Sequence, residues 1–428
     1  MILIRNIHAV DPDNLNSKVD LVIENNLIKK IAPANSIKSD AFDLVIEGDG
    51  LCAIPGLVDA HCHLREPGQE YKEDIESGTR AAAKGGFTAV ACMPNTLPVA
   101  DNSAVISYIL DAARTRGAVK VLPIGAITKS LQGKELAEIG DMKNAGAVAI
   151  SDDGRPVMSA SLMKKAMLYA SGFDMPVISH CEDLDLAEGG SMNEGFNSTC
   201  LGLRGIPRAA EESMVSRELI LAEYTGLPVH IAHVSTRLSV ELIRQAKKRG
   251  VSVTCETCPH YFTLTDNAVL GFNTNAKVNP PLREEEDVHA IIEGLKDGTI
   301  DIIATDHAPH HQDEKRVEFE LAANGISGFE SAFGLSYTYL VESDHLSFTE
   351  LIRKLSANPR KLFNLPGGLK EGSVADITIT DLTKSYRLNV SSFLSKGKNS
   401  PFDGFELRGA IRYTIVDGRL VYSADKIH

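Results

Sequence analysis

Eight short apolar runs alternating with helical patterns constrain this chain more than any other feature. The runs cover residues 54–59, 88–93, 119–124, 147–151, 177–180, 229–233, 251–257 and 300–305. Strands that are apolar throughout are buried on both faces, as in a parallel sheet covered by helices. Helical periodicity fills most of the gaps, at residues 75–84, 104–115, 162–171, 209–224 and 239–248. Glycines stand where those helices should stop: Gly85-Gly86, Gly117, Gly146, Gly172, Gly226 and Gly250. Eight such units predict a (β/α)8 barrel. A doubly wound open sheet is the alternative, but no G-x-G-x-x-G follows the first strand.

The two ends read differently. Residues 2–10, 20–23, 27–31 and 43–46 form short strand patterns, punctuated by Asn25-Asn26 and Gly48-Asp49-Gly50. Beyond a helical pattern at 347–365, strand patterns return at 376–380, 408–416 and 419–422. The expected fold class is therefore α/β, a TIM-like barrel inserted into a small β-sandwich that both termini build. The sandwich would take residues 1–52 and 367–428, and the barrel 53–366.

Composition narrows the functional classes. A hydrophobic content of 43% excludes a disordered chain. No apolar run approaches the ~18 residues of a membrane span, and the N-terminus lacks the basic start and cleavage site of a signal peptide. A net charge of −13 without any Lys/Arg-rich run argues against nucleic acid. Seven scattered cysteines suit reduced thiols in a cytoplasm. Cys255 and Cys258 form one C-x-x-C, but no second pair completes a structural zinc site, so both read as buried core thiols.

The chemistry collects at the ends of the barrel strands. His61-Cys62-His63 follows the first of them, and residues i and i+2 of an extended segment point the same way. Both imidazoles can therefore grip one metal. Asp152-Asp153 follow the fourth strand, His180 ends the fifth, His233 ends the sixth and Asp306 follows the eighth. Strand C-termini are where barrel active sites form. Taken singly, each has a plain structural explanation: a turn at Asp152-Asp153-Gly154, a cap neighbour at His180, a core histidine at His233, a loop cap at Asp306. Six imidazole and carboxylate groups at one end of a barrel resist that explanation. Four histidines with two carboxylates suit zinc or a similar divalent ion, and suffice for two. Strand alternation lets only one of Asp152 and Asp153 face the barrel axis.

Several separated motifs then resemble one family. Gly56-Leu57-Val58-Asp59-Ala60-His61-Cys62-His63 resembles the opening metal motif of the amidohydrolase superfamily. Leu64-Arg65-Glu66-Pro67-Gly68, Met93-Pro94-Asn95-Thr96 and the stretches 277–283, 304–310 and 372–377 resemble dihydroorotases in particular, in the right order and over essentially the whole chain. The resemblance implies a zinc enzyme with one or two ions per subunit. Its reaction would interconvert N-carbamoyl-L-aspartate and L-dihydroorotate in pyrimidine biosynthesis, by way of a metal-held hydroxide. His61 and His63 would hold one ion and His180 and His233 the other, with Asp306 both ligand and catalytic acid/base. Arg65, Asn95 and His310 would hold the substrate carboxylate, and Asn279 would bond the ring.

Many superfamily members bridge their metals with a carboxylated lysine on the fourth strand. This chain reads Ser151-Asp152-Asp153-Gly154 there, which resembles the long-chain class of dihydroorotases, and the motif of that class assigns the place to Asp153. The missing lysine counts against a hydantoinase or allantoinase. So does the Arg65 and Asn95 pair, because a neutral hydantoin ring offers no carboxylate. A non-catalytic homologue that scaffolds aspartate transcarbamoylase would show eroded ligands, and all six are present. The resemblance further implies a cytoplasmic homo-oligomer acting on a small molecule, with aspartate transcarbamoylase as the candidate protein partner. The polar segment 311–328 is either a lid over the site or a plain surface loop.

Overall fold

A computed structural model describes residues 1–425. Its central element is a set of eight parallel strands: β1 (Leu57–Cys62), β2 (Phe87–Cys92), β3 (Lys120–Gly125), β4 (Ala149–Ser151), β5 (Val177–Ser179), β6 (Val229–Ile231), β7 (Val253–Thr257) and β8 (Ile302–Ile303). Each strand pairs with the next in chain order. A parallel bridge between Cys62 and His307 carries the pairing from the end of β8 back to β1 and nearly closes the barrel. The helices Ile75–Lys84, Ser103–Arg116, Ala160–Ser171, Ala209–Thr225, Arg237–Lys248 and Glu285–Lys296 intervene. Their apolar faces share one core with outward strand residues such as Val90, Val121, Ile150 and Ile231. No helix among the described residues is long and apolar enough to cross a membrane.

The terminal segments build a separate eight-stranded sheet. Its order runs Arg419–Ser423, Glu406–Val416, Ile377–Arg387, Cys52–Pro55, Ile2–Asp11, Leu15–Glu24, Leu27–Pro33, with Leu44–Glu47 branching parallel from Ile2–Asp11. Ile4, Leu21, Ile28, Ile377 and Ile415 fill the core beneath it.

One expected strand has to be redrawn. The run 54–59 is not a single barrel strand followed by His61. Cys52–Pro55 belongs to the terminal sheet, where it pairs with Ile377–Arg387 and Ile2–Asp11. The chain changes sheets at Gly56, and β1 extends as far as Cys62, so that His61 lies inside it. Both sheets bury this stretch, so the apolar run reads straight through the boundary. Gly56 is required by proximity, because a Cβ there would lie 2.3 Å from the Thr88 side chain. Its carbonyl accepts from Ser356 Oγ at 2.7 Å and from Arg360 Nη2 at 3.0 Å. The buried Arg360 also donates to the Pro366 carbonyl at 2.8 Å, tying the last barrel helix to the crossover. Arg360→Met should therefore lower stability by roughly 3 kcal/mol, the scale for breaking buried charge-assisted bonds, with the metal content unchanged. A urea midpoint equal to wild type would show that Ser356 alone holds the crossover.

Candidate metal centre

The strand ends bring the six groups together. His61 and His63 come from β1 and the residue beyond it, Asp153 from just past β4, His180 from the residue after β5, His233 from just past β6, and Asp306 from the turn after β8. Asp153 lies between the histidines. Its Oδ1 is 3.4 Å from His61 Nε2, 3.3 Å from His180 Nδ1 and 3.5 Å from His233 Nε2, and its Oδ2 is 3.5 Å from His63 Nε2. Asp306 Oδ1 is 3.1 Å from His63 Nε2 and 3.6 Å from His61 Nε2. All six residues are buried. Two groups, His61–Asp153–His233 and His61–His63–Asp306, each present ligand atoms within 4.8 Å of one another.

The surrounding hydrogen bonds aim these rings. His61 Nδ1 is bonded to Glu256 Oε1 at 2.7 Å, and His63 Nδ1 to Asn95 Oδ1 at 2.9 Å. An acceptor on Nδ1 fixes the proton there and leaves Nε2 bare, the tautomer a metal ligand needs. His61 Nε2 and Asp153 Oδ1 are buried without a hydrogen-bond partner. Unpaired buried polar atoms are costly, and two that face one another across a ligand cluster fit a divalent cation. The local potential agrees. Burial alone would raise the Asp153 carboxyl, yet His61, His180 and His233 hold it well below the usual range. Burial would lower His180, but Asp153 and Glu182 push it up to about 10. A field that holds protons on imidazoles also favours a metal ion.

The backbone is bent to achieve this. β1 slips its register against β2 between Asp59 and Cys62, a bulge that re-aims His61. Arg65 (φ 61°), His233 (φ 32°) and Asp306 (φ 43°) adopt left-handed conformations, which are uncommon for residues with a side chain and concentrate at functional sites. Asp152 points the other way. It accepts from the backbone N–H of Ile127 at 2.7 Å and of Thr128 at 3.0 Å, and from the Thr128 hydroxyl, while burial raises its pKa to about 6.

Beside the cluster, Arg65, Asn95, Asn279 and His310 line the same pocket. Arg65 is buried, its Nε donating to the Pro309 carbonyl at 3.2 Å and its Nη2 standing 3.1 Å from His310 Nε2. It forms no surface pair with the nearby acids: Glu66 is taken by Arg116 at 2.5 Å, and Glu73 by Ser395 and Ser77. His310 is held by Glu314 through Nδ1 at 3.2 Å, and burial lowers its pKa to about 4. Asn279 Nδ2 donates to Glu182 at 3.2 Å, and its Oδ1 is buried and unpartnered. Asn95 is shared, since it also holds His63 and lies 3.4 Å from Asp153.

Sequence reasoning missed Glu256 and Glu182. Glu256 carried a signal, as a carboxylate inside an otherwise buried strand, and Glu182 stands two residues from His180. Segment 311–328 borders the site through Asn324 and Gly325, which line the pocket, and the buried Lys315 Nζ donates to the carbonyls of Ala323 at 2.7 Å and Gly325 at 3.2 Å. Cys255 and Cys258 are both buried, Cys255 in β7 and Cys258 just beyond it.

Comparison with known proteins agrees with this geometry. A family model described as dihydro-orotase-like matches residues 50–239. A dihydroorotase of Acetivibrio thermocellus is 61% identical over 421 residues, 98% of each chain. One from Ruminiclostridium cellulolyticum is 60% identical over 97% of each chain. Among solved structures, an L-hydantoinase from Arthrobacter aurescens superposes with a TM-score of 0.88 at 25% identity, covering 100% of this chain and 97% of its own. Sequence identity is thus far higher to the dihydroorotases than to the hydantoinase that shares the fold, and the chain belongs to the dihydroorotase family.

Proposed function

We propose that the chain interconverts N-carbamoyl-L-aspartate and L-dihydroorotate at the C-terminal mouth of the barrel. The observation that carries this reading is a buried arginine, Arg65, opening into the same pocket as His63, His180, His233, Asp153 and Asp306 of the ligand cluster. A cation placed to take a carboxylate beside a ligand cluster suits a cyclic amide that bears an acid group. His61, His63, Asp153, His180, His233 and Asp306 would hold zinc, as one or two ions. The bound ion would polarise the ring amide carbonyl and acidify the attacking water.

The side chains supply the rest. In hydrolysis Asp306 takes the proton of the attacking water and delivers it to the ring nitrogen as the C–N bond breaks. In cyclisation the same steps run in reverse. Arg65, Asn95 and the neutral His310 orient the substrate carboxylate, and the free Asn279 Oδ1 accepts from a ring N–H. Asn324 and Gly325 border the pocket from the segment 311–328. We extend the proposal to a cytoplasmic homo-oligomer, with aspartate transcarbamoylase as the protein partner to be tested by co-purification.

The decisive experiment measures zinc content and dihydroorotate hydrolysis on one preparation, with hydantoin as the competing substrate. Turnover of hydantoin without turnover of dihydroorotate would overturn the reading. Arg65→Met gives a narrower test. It should keep its metal while KM for dihydroorotate rises, by an amount equivalent to roughly 2–5 kcal/mol of lost charge pairing. Unchanged KM would make Arg65 a structural residue.

A further inference from the structure

Glu256 does not end at His61. Its Oε1 is bonded to His61 Nδ1 at 2.7 Å, and its Oε2 to His230 Nε2 at 3.2 Å. His230 Nδ1 in turn meets Thr254 Oγ1 at 2.8 Å. Glu256 and His61 are fully buried, and His230 is 1% exposed. His230 and Thr254 line a cavity together with Val177, Val229, Val253 and Ile302, which open strands β5, β6, β7 and β8. That cavity is at the end of the barrel opposite the ligand cluster. A chain of hydrogen bonds therefore runs from the floor of the barrel to a ligand at its mouth.

We propose that His230 is a positioning residue for the metal centre, fixing through Glu256 the ring of His61 with Nδ1 protonated and Nε2 bare. The inference rests on the reading of His61 as a metal ligand. Its physical basis is the geometry of one carboxylate between two imidazoles. A buried glutamate with a single partner can rotate about its last side-chain bonds, and the His61 ring can turn with it. With His230 on the second oxygen the carboxylate plane is set, and both imidazoles must turn an N–H toward it. Thr254 sets the ring of His230 in the same way. A histidine serving only as floor packing would have no need of two polar partners, since an aliphatic side chain could fill the place beside Val229 and Ile302 without them.

The test uses zinc affinity, measured by competition with a chromogenic chelator, and the visible spectrum of the Co2+-loaded protein. Glu256→Gln should weaken zinc by about 10–100-fold, the range for a lost partner of a ligating histidine. His230→Leu should weaken it in the same direction and shift the Co2+ bands. The double variant should bind no more weakly than Glu256→Gln alone, because His230 acts only through Glu256. His230→Gln, which keeps a donor toward Glu256, should recover most of the affinity and provides the readout if His230→Leu folds poorly. Wild-type zinc affinity and an unaltered Co2+ spectrum in His230→Leu, or losses that add in the double variant, would overturn the proposal. His61→Ala separates the two levels of inference. If it binds zinc as wild type does, the ligand reading has failed and His230 falls with it; if it binds weakly and His230→Leu does not, only the positioning role has failed.

Discussion

Asp306→Asn is expected to give a folded protein that retains metal and hydrolyses dihydroorotate on the order of 10²–10⁴ times more slowly, the usual contribution of a general acid–base group. The amide keeps the shape and one oxygen toward His63, now 3.1 Å away, but it cannot carry a proton between water and the ring nitrogen. The geometry singles out this carboxylate, because it stands at the wall of the pocket in a strained left-handed turn. Asp59 holds that turn from below, accepting from the Thr305 N–H at 2.8 Å and its hydroxyl at 2.6 Å. The pH dependence has a definite sign. Burial would raise the Asp306 pKa, but the His63 hydrogen bond and the charges of His61, His63 and His233 bring it below the ordinary carboxylate value. It is therefore a base throughout the neutral range, and hydrolysis should decline only as pH falls through that lowered value. The acidic limb should vanish in Asp306→Asn. Near-wild-type turnover in the metal-loaded variant would assign the proton to another group, with His310 next in line.

The barrel and the six clustered residues were legible for a physical reason. Strands buried on both faces leave long apolar runs, and a polar side chain at the end of such a run has few structural uses. His61, Asp153, His180, His233 and Asp306 all share that signature. What the sequence hid is also explicable. The change of sheet at Gly56 leaves no mark in hydrophobicity, because the segments on both sides are buried; only the close approach to Thr88 shows why a glycine stands there. β8 is only two residues long by pairing, Ile302–Ile303, although the apolar run is longer, since the chain leaves the sheet to set up Asp306. Glu256 and Glu182 were overlooked because their work is done on the histidines, at distances no linear spacing reveals. The sequence left 311–328 open between a lid and a surface loop, because the charge of Lys315 fits a solvated segment as well as a bonded one. The Lys315 ammonium is spent on backbone carbonyls, and burial lowers its pKa to about 7.

The adjacent aspartates Asp152 and Asp153 should separate cleanly into a ligand and a strut. Asp153→Ala removes the group that lies within 3.5 Å of four imidazole nitrogens. Loss of zinc and of activity by on the order of 10²-fold or more is expected, above what a missing outer partner of a ligand costs. Its fold should survive, because no backbone group depends on that carboxylate for its hydrogen bond and the strands around it are held by their own ladder. Asp152→Ala should do the reverse. Its carboxylate is the acceptor for the backbone N–H groups of Ile127 and Thr128, both buried just past β3. Two orphaned buried donors cost roughly 2–5 kcal/mol, visible as a lower urea midpoint, while the zinc content of the folded fraction stays near wild type. The two readouts, metal per folded chain and stability, should therefore move in opposite variants. If Asp152→Ala lost its metal and Asp153→Ala kept it, the fourth strand would have to present the other face to the barrel axis, and the ligand set drawn from its end would be wrong.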